Sequence, residues 1–186
     1  MEKRKVILVT DGDMSAQKAV EIAAKNVGGR SISASAGNPT VLTGHEIVEK
    51  IKEAAKEPVV VMVDDRGFKG QGPGETAMQA ILDNPEVDVL GVVAVSSNGK
   101  DCNGLDVTCS VTKEGKIVEQ AVDKNGNNTH AGRICGDTLS ILKSRKDLLI
   151  IGMGDPGKMD FMDEVSKGAP VTTLALKEVM KRKGLM

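Results

Sequence analysis

The chain is nearly without aromatic residues: two phenylalanines, Phe68 and Phe161, with no tyrosine and no tryptophan among 186 residues. Proteins that read single-stranded nucleic acid stack bases on aromatic side chains, so this composition argues against that class. A core has to be packed from Val, Ile, Leu, Met and Ala instead. An excess of charge of one sign is also missing. Basic residues number 25 and acidic ones 26, for a net charge of −1, which leaves no global field to attract nucleic acid or anionic lipid. The basic clusters MEKRK and KEVMKRKGLM read as solvated termini.

Metal-ligating and redox residues are scarce. His45 and His130 are the only histidines, and neither has a ligand-like neighbour in sequence. Cys102, Cys109 and Cys135 give an odd count with no C-x-x-C spacing, so three reduced thiols are expected. No apolar run approaches the roughly 18 residues of a membrane-spanning helix. The run Val6 to Val9 is too short for the apolar region of a signal peptide. The sequence therefore predicts a soluble chain without a transmembrane segment. Any membrane association would come through a partner or a surface patch.

The apolar pattern is clear. KVILVT (5–10), VVVMV (59–63) and DVLGVVAVS (88–96) are β-branched runs of the kind buried on both faces of a sheet, and RSISAS (30–35) is a weaker one. Between them, residues 15–27 carry a stripe of Ala16, Ala19, Val20, Ala23 and Ala24 at helical spacing. Thr43 with Glu46 makes a capping box for a helix through Lys56, and residues 75–82 form a third helix. The order β-α-β-α-β-α-β predicts an α/β fold of three layers with a mainly parallel central sheet. The stretch DVTCSVTKEGKIVEQAV alternates around Glu114-Gly115 and predicts a β-hairpin insertion at about 105–120. Its polar flanks, NGKDCNG and DKNGNNTHAG, read as mobile loops. Helices over 133–145 and 174–183 flank a last strand, DLLIIG. The length and the lack of a clear linker predict one domain, 1–186.

Several loops carry candidate chemistry. IIGMGDPGKM (150–159) fits G-x-G-x-x-G and falls one residue short of a G-x-x-x-x-G-K-[ST] phosphate loop. Met159 stands where a hydroxyl would hold Mg²⁺, and Pro156 has no N–H to offer a phosphate. The acidic partner expected about 20 residues on in a dinucleotide site is missing as well, so the motif satisfies the mechanics of neither pattern. TDGD, VDDRG and GDPGK place Asp11, Asp13, Asp64, Asp65, Asp155 and Lys158 just beyond three strands. Parallel strands would bring these loops to one rim, where sites form in open α/β sheets. The four aspartates at 11, 13, 64 and 65 are candidate oxygen ligands for a divalent cation, Mg²⁺ or Ca²⁺. Helix capping and turn formation explain the same residues without a metal. DGDMS begins like an EF-hand loop, but Ala16 and Ile22 occupy positions that need Gly and Glu. In RGFKGQGPGETA, Gly74 and Glu75 open a helix whose N-terminus could hold an anion, although Glu75 itself satisfies the dipole there. No G-x-S-x-G elbow or triad pattern is present.

Taken in order, VILVTDGD (6–13), SASAGNPTVLTG (33–44), VMVDDRGFKGQGPGE (61–75), VLGVVAVSS (89–97), AVDKNG (121–126), GRICGDT (132–138) and IIGMGDPGKM…VSKGAPVT (150–172) resemble the stage V sporulation protein AE family over essentially Val6 to Lys183. Cys135 stands where that resemblance leads one to expect an aromatic residue. The resemblance implies a non-enzymatic accessory role in sporulation and spore germination. It further implies other stage V spore channel proteins as partners, at the channel that moves calcium dipicolinate across the spore inner membrane. A soluble protein made in the developing spore and held peripherally at that membrane is what it predicts, with calcium dipicolinate a candidate ligand. It transfers no catalytic residues. A second, weaker likeness is to Toprim domains, which hold Mg²⁺ on acids after a first and a later strand. Here Asp11 or Asp13 would be the first acid, and Arg66 follows Asp64-Asp65 where another Asp would stand. The fold expectation is thus Toprim-like or Rossmann-like. Metal-dependent phosphoryl transfer or nucleic-acid chemistry is the rival function.

Overall fold

The computed structural model describes residues 2–68, 70–97 and 103–186. The loop predicted from Asn98 and the thiol of Cys102 lie in part or wholly outside them. A seven-stranded sheet runs in the order β2-β3-β1-β4-β9-β6-β7. Its members are β1 (Arg4–Val9), β2 (Arg30–Ser31), β3 (Val59–Met62), β4 (Val87–Val95), β6 (Cys109–Val111), β7 (Ile117–Val118) and β9 (Ile150–Met153). Every pair is parallel except β6 with β7. The short strands β5 (Leu105–Asp106) and β8 (Arg133–Ile134) pair separately and antiparallel.

The strands are apolar on both faces because both faces are covered. In β1, Val6 and Leu8 point into one core while Ile7 and Val9 point into another. The first core takes Ile47 and Ile51 of α2 (Gly44–Glu53) and Met78 and Ile81 of α3 (Pro73–Leu82). The second takes Val20 and Ala23 of α1 (Met14–Asn26) and Leu176 and Val179 of α4 (Pro170–Arg182). The result is a mixed-sheet α/β fold with mostly parallel strands and a β-hairpin. Its strand order differs from the doubly wound order, in which the second strand adjoins the first. Here β3 lies beside β1, and the two-residue β2 forms the edge.

The hairpin forms around Glu114-Gly115 as predicted, but it belongs to the main sheet. Its first strand, β6, pairs with β9, so β7 becomes the edge. The helix predicted to run to Lys56 stops at Glu53. Ala54 turns extended, and the Arg4 guanidinium takes its carbonyl. Its capping box is formed as read: Glu46 accepts from the Thr43 N–H at 2.8 Å, and the Thr43 hydroxyl accepts from the Glu46 N–H at 3.3 Å. The run at 30–35 gives two strand residues and then a 3₁₀ turn, Ser33–Ser35.

The helix predicted over 133–145 does not form. Arg133 and Ile134 are strand, Ser140–Ser144 is a 3₁₀ turn, and an irregular link with a bend at Asp137 and Thr138 joins them. The reason is proximity to β4. A Cβ on Gly136 would stand 2.7 Å from the Val95 carbonyl oxygen, and the Ser97 N–H donates to the Cys135 carbonyl at 2.8 Å. A chain held that close to a strand end has no room to coil. Cys135 is disulfide-bonded, contrary to the expected set of reduced thiols, while Cys109 is a buried free thiol.

Candidate functional site

The carboxyl ends of β1, β3, β4 and β9 converge as parallel strands require. Their loops line one cleft of about 210 Å³. Asp11, Asp13, Asp64 and Asp155 reach it, and so does Lys158. Five residues not singled out from the sequence complete its charged and polar wall: Asp137, Ser96, Ser97, Asn38 and Thr10. Asp137 gives no signal in the sequence because its segment reads as the start of a helix, whereas the chain bends there and its carboxylate accepts from the Gly67 N–H.

All but one of these carboxylates accept backbone N–H groups; Asp155 is the exception. Asp13 caps α1 through the Ala16 N–H at 2.8 Å, and its second oxygen meets Lys158 Nζ at 3.2 Å. Asp11 accepts from the N–H of Gly12 at 2.8 Å and of Asp13 at 3.3 Å. Asp64 accepts from the Arg66 N–H at 2.7 Å, and Asp137 from the Gly67 N–H at 2.6 Å. Lys158 lies 4.0 Å from Asp155 and so bridges the first and last loops. Gly154 lets the last loop close: a Cβ there would meet Gly126 N and Lys124 O, each at 2.6 Å.

Asp65 does not line the cleft. Its carboxylate turns under α3 and accepts from the N–H of Gly74 at 2.7 Å and of Glu75 at 3.2 Å. The helix N-terminus considered for an anion thus already has one. Glu75 is fully buried and takes the N–H groups of Ser140 and Ile141, fastening the 3₁₀ turn to α3. Its Oε2 has no partner among the described residues, and burial raises its pKa. Gly74 is buried against the backbone of Asp64. Gly74 and Glu75 therefore belong to the packing beneath the rim, and Asp155 and Lys158 to the rim itself. Among the described residues, no group of three or more His, Cys, Asp or Glu side chains is arranged to hold a metal ion.

Crowded acids at a half-buried site resist ionisation. Burial, then the neighbouring Asp13, push Asp11 up to about 7. Burial and the charges of Asp137 and Asp13 push Asp64 up to about 6. A carboxyl raised in the folded state binds its proton more tightly there than in the unfolded chain. Its contribution to stability is full below the unfolded value near 4 and is lost as pH rises through 6 to 7. We expect Asp11→Asn to stabilise the protein at pH 8 by on the order of 1–2 kcal/mol after allowance for solvent screening, and to have little effect at pH 4. Urea unfolding of both proteins across pH 4–8.5 measures this; equal pH slopes would contradict it.

The fold and rim define a class: an α/β protein whose parallel strands present one acidic cleft, with Asp11, Asp13 and Asp64 held by a cap and turns. Residues 5–183 match the family model described as Stage V sporulation protein AE1, and the chain belongs to that family. Its role is accordingly an accessory, non-catalytic one in sporulation. No curated protein and no solved structure matches the chain.

Proposed function

We propose that the protein serves the channel that moves calcium dipicolinate across the spore inner membrane, as a peripheral component docked on other stage V channel proteins. The observation that carries this reading is the family match over 5–183. Among the described residues no helix is long and apolar enough to cross a membrane, so these residues reach the membrane through a partner or a surface. The use of the rim carboxylates as caps and turn acceptors favours a docking role over chemistry on a substrate. The outline is Toprim-like in one respect: acids follow the adjacent parallel strands β1 and β3. The cleft offers an entering group the carboxyls of Asp11, Asp13, Asp64 and Asp155 and the ammonium of Lys158, but among the described residues these are not arranged to hold a bare metal ion. Affinity retrieval of the tagged chain from sporulating-cell membranes should bring down a stage V channel component. Retrieval of none, from cells in which the complex is intact, would refute the reading.

A further inference from the structure

Both phenylalanines of this aromatic-poor chain lie on the surface. Phe68 is 60% exposed and Phe161 73%, and Met14 and Val41 are exposed to 72% and 80%. Val41, Phe68 and Phe161 stand on three different loops and Met14 at the first position of α1, each on a segment that also lines the acidic cleft. Met14 follows Asp13, Val41 lies three residues beyond Asn38, Phe68 two beyond Arg66, and Phe161 three beyond Lys158. Exposed apolar side chains on the segments that bound a polar cleft, on a protein whose other large apolar side chains mostly fill two cores, are the pattern of an interaction surface. The loops carrying the phenylalanines are also held in unusual backbone. Arg66 has φ 52°, and Met159, Asp160 and Phe161 have φ 54°, 54° and 65° in succession. Three consecutive non-glycine residues in the left-handed region persist only where their surroundings fix them. Here Lys113 pairs with Asp160, and Lys167 Nζ holds the Phe161 carbonyl.

The cleft is complementary to a cation. Five aspartates and two basic side chains line the cleft. Ser96 gives an observation independent of these charges. It is only 4% exposed and lines the cleft, where its hydroxyl is open to solvent. A donor group entering the cleft can replace water at that hydroxyl.

We propose that this rim is a protein-docking face, occupied by a partner segment that presents a lysine or arginine between apolar side chains. The cationic head enters the cleft, and its flanks cover Met14, Val41, Phe68 and Phe161. This deepens the accessory reading and rests on it. A cation placed among the carboxylates would also favour the ionised forms of Asp11 and Asp64, opposing the burial that raises them. The same acidity disfavours an anionic bilayer as the occupant, because like charges face each other at the surface.

The test places a photo-reactive benzoyl-phenylalanine at position 68, 161 or, as a control at the amino end of β3, 56, in the full chain in sporulating cells. Cross-links from 68 and 161, but not from 56, should map to a partner segment containing Lys or Arg. The double variant Phe68→Ser/Phe161→Ser, whose side chains are exposed, should retain its melting temperature and retrieve at least tenfold less partner. Asp155→Lys should do the same through charge alone. If the unaltered chain retrieves a channel component and both variants retrieve it equally well, the accessory reading stands and this face is wrong. If the unaltered chain retrieves none, both fall. Vesicles of phosphatidylglycerol should not bind the chain. Binding that the two serine substitutions abolish would overturn the proposal in favour of a membrane surface.

Discussion

Asp163→Ala is expected to lower the unfolding free energy by about 3–5 kcal/mol. Asp163 is completely buried, and all of its oxygen capacity is in use. Oδ1 accepts from the N–H groups of Val171 at 2.7 Å and Thr172 at 2.9 Å, and Oδ2 from the Gly157 N–H at 2.8 Å and the Thr172 hydroxyl at 2.5 Å. The N-cap position of α4 is Ala169, which has no side chain able to cap. The first turn of α4 therefore depends on an acid six residues upstream. Alanine strands three backbone donors and a hydroxyl in a place without solvent. Asp163→Asn keeps one oxygen on the helix and faces an amide toward Gly157 N–H, so about half the loss is expected. Urea unfolding at pH 7 measures both. A loss below about 1 kcal/mol for the alanine variant would mean that water or a rearranged loop replaces the carboxylate. The same carboxylate fixes the loop that bears Lys158 and Phe161, so the variant should also weaken whatever the rim binds.

Gly74→Ala is the second large effect, expected to destabilise by about 3 kcal/mol or more. A Cβ at this position would lie 2.6 Å from the backbone N, C and O of Asp64 alike. These are main-chain atoms of the segment leaving β3, so no rotamer change relieves the clash. The helix has to lift, which draws the N–H groups of Gly74 and Glu75 away from Asp65 and Glu75 away from Ser140. Gly67→Ala is the matching control. Gly67 has φ 69°, and nothing lies within 4 Å of a Cβ there, so only left-handed strain of about 1–2 kcal/mol is expected. Thermal and urea unfolding of the two variants separate packing from strain. Equal losses would show that α3 accommodates the methyl group.

These two residues also show how unevenly the site could be read from the sequence. Gly74 and Glu75 stood out because Pro-Gly-Glu opens a helical pattern, and α3 does begin there. That the glycine is required by an approach to Asp64 is a fact of packing that no spacing reveals. Asp163 gave no local signal, since its partners are a loop N–H six residues before it and a helix start eight residues after it. Asp11, Asp13, Asp64 and Asp155 could be placed on one rim because parallel strands put successive carboxyl ends on one side. Asp65, next to Asp64 in sequence, turns away because successive residues leaving a strand point in opposite directions, and α3 offers it two donors.

The layers follow from local signals with local causes: β-branched runs at β1, β3 and β4, the alanine stripe of α1, the capping box of α2 and the turn at Glu114-Gly115. The ordered motifs carry the family as well. That 133–145 does not coil, that Asp137 and Ser96 join the cleft, and that Asp65 and Asp163 serve as helix caps are outcomes of the folded chain. Each of those outcomes depends on contacts between segments distant in the chain, where the closeness of a strand end or an unpaired helix N-terminus outweighs the preference of the local sequence.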